Sequence, residues 1–180
     1  NLIKNAIKKS TGIEFDNLEI LTSPEFRYRN KIRLQVDSIG GLNYLKSYSE
    51  QMVKIDDCLI AGELISENLS DIEKICQAIN NKFDGLIKEI SIRTNNKEIL
   101  LNLYGNFTDK SITYVREQYS GTKYLINIID GKNLLPINGQ GYLDFQIKDK
   151  SFKISADDFY QVNQYQIENL YKVAREFLGE

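Results

Sequence analysis

Apolar positions along the chain switch between two spacings, and each switch marks a change of element. Leu2, Ile3, Ala6 and Ile7 recur at helical spacing, with Lys8 and Lys9 in the last turn and Gly12 just beyond, the pattern of a short amphipathic helix. From Phe26 to Val36 the period becomes two, with Phe26, Tyr28, Ile32, Leu34 and Val36 on one side, which predicts a strand. Ser38-Ile39-Gly40-Gly41 is a turn sequence, so Leu42 to Lys46 returns as the second strand of a hairpin. A short strand over Met52 to Ile55 follows. Leu69, Ile72, Cys76, Ile79 and Phe83 then mark one stripe of a helix.

The second half repeats the alternation. Ile87 to Arg93 and Glu98 to Tyr104 flank the turn Asn95-Asn96-Lys97 as a second hairpin, and Ile112, Val115 and Tyr119, closed by Gly121, predict a third helix. Lys123 to Ile129 predicts a strand ending in the turn Asp130-Gly131. After Asn138-Gly139-Gln140-Gly141 comes a hairpin, Tyr142 to Ile147 and Phe152 to Ile154, turning at Lys148-Asp149-Lys150; the last helix runs from about Gln164 to Leu178. Hairpins alternating with single helices imply an α+β fold, a largely antiparallel sheet with helices packed on it.

Composition narrows the classes of function. Apolar residues make up 42% and charged residues 27% of the 180 residues, values of a chain that folds around a core. The longest apolar stretches are a few residues, such as Ile99-Leu100-Leu101, far short of the ~20 that span a bilayer, so no membrane partner is expected. The opening Asn1-Leu2-Ile3-Lys4 lacks both an initiator Met and the long apolar run of a signal peptide; the expectation is a cut end. Two cysteines, Cys58 and Cys76, are too few for a disulfide framework, and a cytoplasmic setting is expected. The absence of His excludes His-based metal sites and His general bases. A net charge of −2 exerts no overall pull on nucleic acid, so an RNA role must rest on where the cations lie.

Arg27, Arg29, Lys31 and Arg33 alternate with the apolar set of the first strand, so an unbroken strand would hold four cations in one row, about 6 to 7 Å apart. Such a row can track phosphates, with Arg adding bidentate hydrogen bonds; the plainer alternative is the solvated outer face of an antiparallel sheet. Cys58 follows Asp56 and Asp57 at a strand-to-helix junction. It is either a small buried hydrophobe or a ligand, although a metal or cluster site needs about four ligands and the chain offers neither a CxxC nor a His. Cys76, on the apolar stripe of its helix, is expected in the core. Asn163, with Gln166 three residues on, is expected to cap the last helix. That leaves Gln161 without a local task, and a side-chain amide at a helix entrance can bind a polar ligand.

These same residues carry a resemblance. Tyr28-Arg29-Asn30-Lys31 is similar to the YRNK strand of the RNA (uracil-5-)-methyltransferases, the enzymes that form 5-methyluridine in ribosomal and transfer RNA. Val53 to Ile60 resembles their V-x-I-x-x-C-P-I segment, Lys88 to Thr94 their REI-x-I-R-T strand, and Phe152-x-Ile154-Ser155 with Phe159-Tyr160-Gln161-Val162-Asn163 their F-x-IS…FFQVN. Two positions depart from the pattern: Leu59 stands where the family usually has Pro, and Ala156-Asp157-Asp158 replaces a segment that often begins with Pro.

The resemblance implies a domain plan: an N-terminal helix in residues 1–22 that packs on the methyltransferase domain, a central RNA-binding domain over 23–154, and at 155–180 the start of a Rossmann-like methyltransferase domain. It implies that Gln161 contacts S-adenosylmethionine. Cys58 would be the fourth ligand of the 4Fe-4S cluster of the ribosomal branch, with three further ligands before Asn1; the transfer-RNA branch lacks the cluster, so Cys58 does not separate the two. The implied activity is methylation of uridine C5, on 23S ribosomal RNA first, by a monomeric enzyme whose nucleophilic cysteine, general base and glycine-rich cofactor loop follow Glu180. Residues 1–180 alone are then expected to be inactive. The alternatives are the transfer-RNA branch, a non-catalytic RNA-binding module, and a plain structural domain with a charged face.

Overall fold

The computed structural model describes residues 2–14, 17 and 19–179. Seven strands form one sheet in the order β3-β2-β1-β4-β5-β6-β7. They are β1 (Lys31–Val36), β2 (Leu42–Leu45), β3 (Met52–Lys54), β4 (Ile87–Thr94), β5 (Ile99–Gly105), β6 (Leu125–Asp130) and β7 (Asn133–Pro136). Every neighbouring pair is antiparallel except β5 and β6. A parallel pair needs a crossover, and the helix between them, α3 (Asp109–Tyr119), supplies it. Thr108 starts α3 with a capping box, exchanging hydrogen bonds with Ser111. The α+β architecture of the sequence reading is therefore observed. The edge strand β7 is an addition: four residues are too short for an alternation signal.

One face of the sheet is the main core. Ile32 and Leu34 of β1, Ile90 and Ile92 of β4, Leu101 and Leu103 of β5, and Ile126 and Ile128 of β6 lie under α2 (Glu63–Lys82). The helix buries Ile65, Leu69, Ile72, Cys76 and Ile79 against them, the stripe its spacing predicts. Asn80, fully buried at the end of that stripe, donates to the carbonyls of Asp37 and Ile87 and accepts from the Ile87 amide. It thereby ties α2 to the first hairpin turn and to the start of β4.

The opposite face is covered at one corner by a separate hairpin, β8 (Leu143–Ile147) and β9 (Lys150–Ile154). Leu143, Phe145, Ile147 and Ile154 form a second core with Leu100, Tyr160 and Ile167. The chain ends in α4 (Ile167–Leu178), and α1 (Leu2–Thr11) buries none of its residues.

Two boundaries differ from the sequence reading. The strand predicted from Phe26 begins only at Lys31, because β4 ends at Thr94 and leaves residues before Asn30 without a ladder partner on that side; Arg27 there adopts φ 56. Asn163 does not cap the last helix, which starts at Ile167 with Gln166 as its cap residue. Its side-chain oxygen accepts instead from the Tyr165 amide, closing an Asx turn, and its amide donates to Ser23 Oγ at 2.9 Å.

Candidate functional site

Four segments far apart in sequence meet at the entrance to β1, and they are the four that carry the family-like motifs. Arg29 forms a parallel bridge with Ala61 and an antiparallel one with Asn163. Its carbonyl accepts from the Gly62 amide at 2.7 Å, and a Cβ on Gly62 would sit only 3.1 Å from that oxygen, so glycine permits the approach. Asn30 is the centre of the knot. Its amide donates to the Val162 carbonyl at 2.9 Å, its carbonyl accepts from the Thr94 amide at 2.9 Å, and its side-chain Nδ2 donates to the Gln161 carbonyl at 3.0 Å. Gln164 closes the arrangement through the Tyr28 carbonyl.

This knot fixes Gln161. Its main-chain oxygen is held by Asn30, and its half-buried side chain, with no hydrogen-bond partner among the described residues, lines a groove of about 400 Å³ with Leu21, Asn163, Gln166, Asn169, Leu170 and Val173. Amide and aliphatic side chains side by side in this lining suit a ligand with an apolar body and a few polar atoms. Phe159, two residues before Gln161, is 86% exposed.

The four cations do not form one row. Arg27 turns to the α2 side, where its guanidinium makes a two-pronged pair with Asp57 at 2.8 Å, bonds the Cys58 carbonyl at 2.9 Å and reaches Ser66. The pair raises Arg27 and holds the Asp57 carboxyl below the usual carboxylate range, with Ser66 adding to the effect. Lys31 and Arg33 lie on the other face. Lys31 donates to the Ala156 carbonyl at 3.0 Å, and its pKa is lowered by burial, with Arg93 and Arg33 adding to the shift. Arg33 pairs with Glu89 and lies 4.7 Å from the centre of the Tyr104 ring. Arg29 has no side-chain hydrogen bond or ion pair among the described residues, and its Nε is buried without a partner. The cause of the split is the break at Asn30: alternation holds only while the strand continues.

Sequence reasoning missed a polar band beside Lys31 and Arg33. Strand register aligns Arg33, Ser91, Asn102 and Asn127 across β1, β4, β5 and β6, with Arg93 next to Ser91 on the same face. Ser91, Arg93, Asn102 and Asn127 are all buried, and each has a side-chain atom without a partner. The carbonyls of Asp158 and Gly141 accept from Arg93 and Asn127. The signal was present as Asn102 and Asn127, single amides inside apolar runs.

Neither cysteine is placed for chemistry within these residues. Burial pushes the Cys76 thiol up to about 12, which suits a core residue. Cys58 is buried with its sulfur 3.4 Å from the Tyr44 hydroxyl. Among the described residues no group of three or more metal-ligating side chains exists, so the residues present do not fit a 4Fe-4S cluster. No helix among them is long and apolar enough to cross a membrane.

Comparison with known proteins gives the same direction as the motifs. No protein-family model matches the chain. A Clostridium acetobutylicum protein named an uncharacterized RNA methyltransferase is 24% identical, matching 99% of this chain and 45% of its own length. A Clostridium tetani protein of the same name is 27% identical over 99% of this chain and 46% of its own, and one from Staphylococcus aureus 24% identical over 91% and 42%. The chain thus spans a little under half the length of the curated relatives it matches. Among solved structures, the Pyrococcus abyssi tRNA (uracil-54, C5)-methyltransferase in complex with S-adenosyl-L-homocysteine shares the fold. Its TM-score is 0.71 at 20% identity, over 96% of this chain and 46% of that one. Along 99% of its length the chain is similar in sequence to proteins named RNA methyltransferases, and it shares the fold of the Pyrococcus structure.

Proposed function

We propose that residues 23–154 are the RNA-holding central domain of an S-adenosylmethionine-dependent enzyme that methylates C5 of a uridine in RNA, and that residues 155–180 begin its methyltransferase domain. One observation carries the reading: the four family-like motifs converge on one hydrogen-bonded knot, with Asn30 holding the main chain of Gln161. Separate motifs that meet in space at one knot, with the side chain of Gln161 left free in the groove beside it, are what a shared site requires. S-adenosylmethionine, when bound, supplies the methyl group. The free amide of Gln161 fits its polar atoms, and Leu21, Leu170 and Val173 fit its apolar body. The nucleophile and base come from outside residues 1–180, because neither Cys58 nor Cys76 faces the groove. The exposed stripe of α1, with Leu2 and Ile3 in solvent, suits packing on that further domain. Cys58 then acts as a core residue here, and a cluster would need cysteines this chain does not contain.

Ribosomal RNA is the first substrate by this reading, and the tRNA named for the Pyrococcus protein makes transfer RNA the comparison. Methylation at C5 replaces the hydrogen there, which leaves as a proton. The protein that carries this chain, given S-adenosylmethionine and RNA tritiated at uridine C5, is expected to release tritium to water in step with methyl incorporation. Methyl transfer without tritium release, or no transfer to either RNA, contradicts the reading.

A further inference from the structure

A second cavity of about 250 Å³ lies beside the knot and shares no lining residue with the groove of Gln161. Asn30 and Thr94 line it from the sheet, Asn96 and Lys97 from the β4–β5 turn, Phe145 from β8, and Tyr160, Gln164 and Glu168 from the last segment.

Its chemistry is rich in acceptors. Asn30 is 1% exposed, and its Nδ2 is committed to the Gln161 carbonyl, which orients the amide and leaves Oδ1 buried with no partner. It is the one buried side-chain polar atom of the lining in that state among the described residues. A buried acceptor without a donor is costly until a donor reaches it. Glu168 adds a carboxylate with no hydrogen bond to it, while the amides of Asn96 and Gln164 are committed, Asn96 to Gln164 Oε1 and Gln164 to the Arg27 carbonyl. Phe145 and Tyr160, tilted to one another with ring centres 4.4 Å apart, are the aromatic part of the lining, and Lys97 is its one cation.

Such a site selects a planar ring with several N–H donors on one edge and a negative charge attached outside. We propose that this cavity takes an unstacked guanine of single-stranded RNA, with the N1–H and N2 amino edge facing the acceptors and the phosphate at Lys97. The proposal rests on the RNA reading above for its ligand class, and the test separates the two.

The isotope-labelled chain is titrated with guanosine monophosphate, uridine monophosphate and N-acetyl-arginine amide, following the side-chain amide signals of Asn96 and Gln164 by NMR. Guanosine monophosphate is expected to shift them saturably, about tenfold tighter than uridine monophosphate, whose edge offers one donor instead of three. Glu168→Gln, at an exposed position that does not endanger folding, is expected to erase that preference. Equal binding of the two nucleotides, tighter binding of the arginine amide, or no shift with any of them overturns the inference. In the last case, if the chain still binds single-stranded RNA, the cavity alone is lost and the RNA reading stands. Guanosine binding by a chain that binds no RNA has the reverse meaning.

Discussion

Asn30 shows how much one amide can organise. It joins three segments by main-chain and side-chain hydrogen bonds while 1% exposed, and Ala at this position leaves the Gln161 carbonyl and a small void behind. Asn30→Ala is expected to lower the unfolding free energy by about 1–3 kcal/mol, read as a fall in the urea midpoint; an unchanged midpoint means the knot does not depend on this amide. Asp57 is the second residue with a measurable signature. Its carboxyl is held low by Arg27 first and Ser66 second, so its stabilising share is complete above the unfolded value of about 3.9 and is lost as the pH falls through the folded one. Asp57→Asn is therefore expected to be less stable than the parent at neutral pH, with the difference narrowing below about pH 4 in urea midpoints across the acid range. A difference that stays constant with pH means the pair is not what stabilises that loop.

At the scale of elements, the hairpin of β8 and β9 is the piece whose attachment matters most, because it closes the second core over Leu100 and lines the cavity beside the knot. Phe145 packs on Tyr160 at the centre of that cluster, and Phe145→Ala is expected to cost about 3–5 kcal/mol, with faster amide exchange in Leu143–Ile154 than in β4 and β5. Equal loss of protection in both sheets means the hairpin is no separate unit. Most elements were legible because each carried its own period: the α2 stripe of Leu69, Ile72, Cys76 and Ile79 is buried as read. What was not legible depended on partners. The end of β1 at Lys31 is set by where β4 stops, and Asn163 is drawn away from capping α4 by its bond to Ser23 as well as its turn on Tyr165; neither β4 nor Ser23 is local to the sequence it constrains. The same limit hid the site. Alternation placed Arg27, Arg29, Lys31 and Arg33 together, and the break at Asn30 turns Arg27 to Asp57 while Lys31 stays on the strand face and reaches the Ala156 carbonyl.

Across the whole molecule, the two cores divide the labour. The α2 side is apolar and complete, while the hairpin side carries the buried polar band, Lys31 and Arg33, and the motifs meet at its edge. A chain of net charge −2 that holds RNA must do so through local cations, and Arg29, without a side-chain partner, and Lys31, held only by a carbonyl, are the two best placed to exchange what they have for phosphate. The most direct test is the affinity of residues 1–180 for single-stranded RNA as a function of salt, for the parent and for Arg29→Gln with Lys31→Gln. The account predicts binding that weakens with salt in the parent, and a slope shallower by about 1.4 in the double variant, two phosphate contacts at about 0.7 each, with folding preserved. An unchanged slope, or no binding by the parent at low salt, contradicts it.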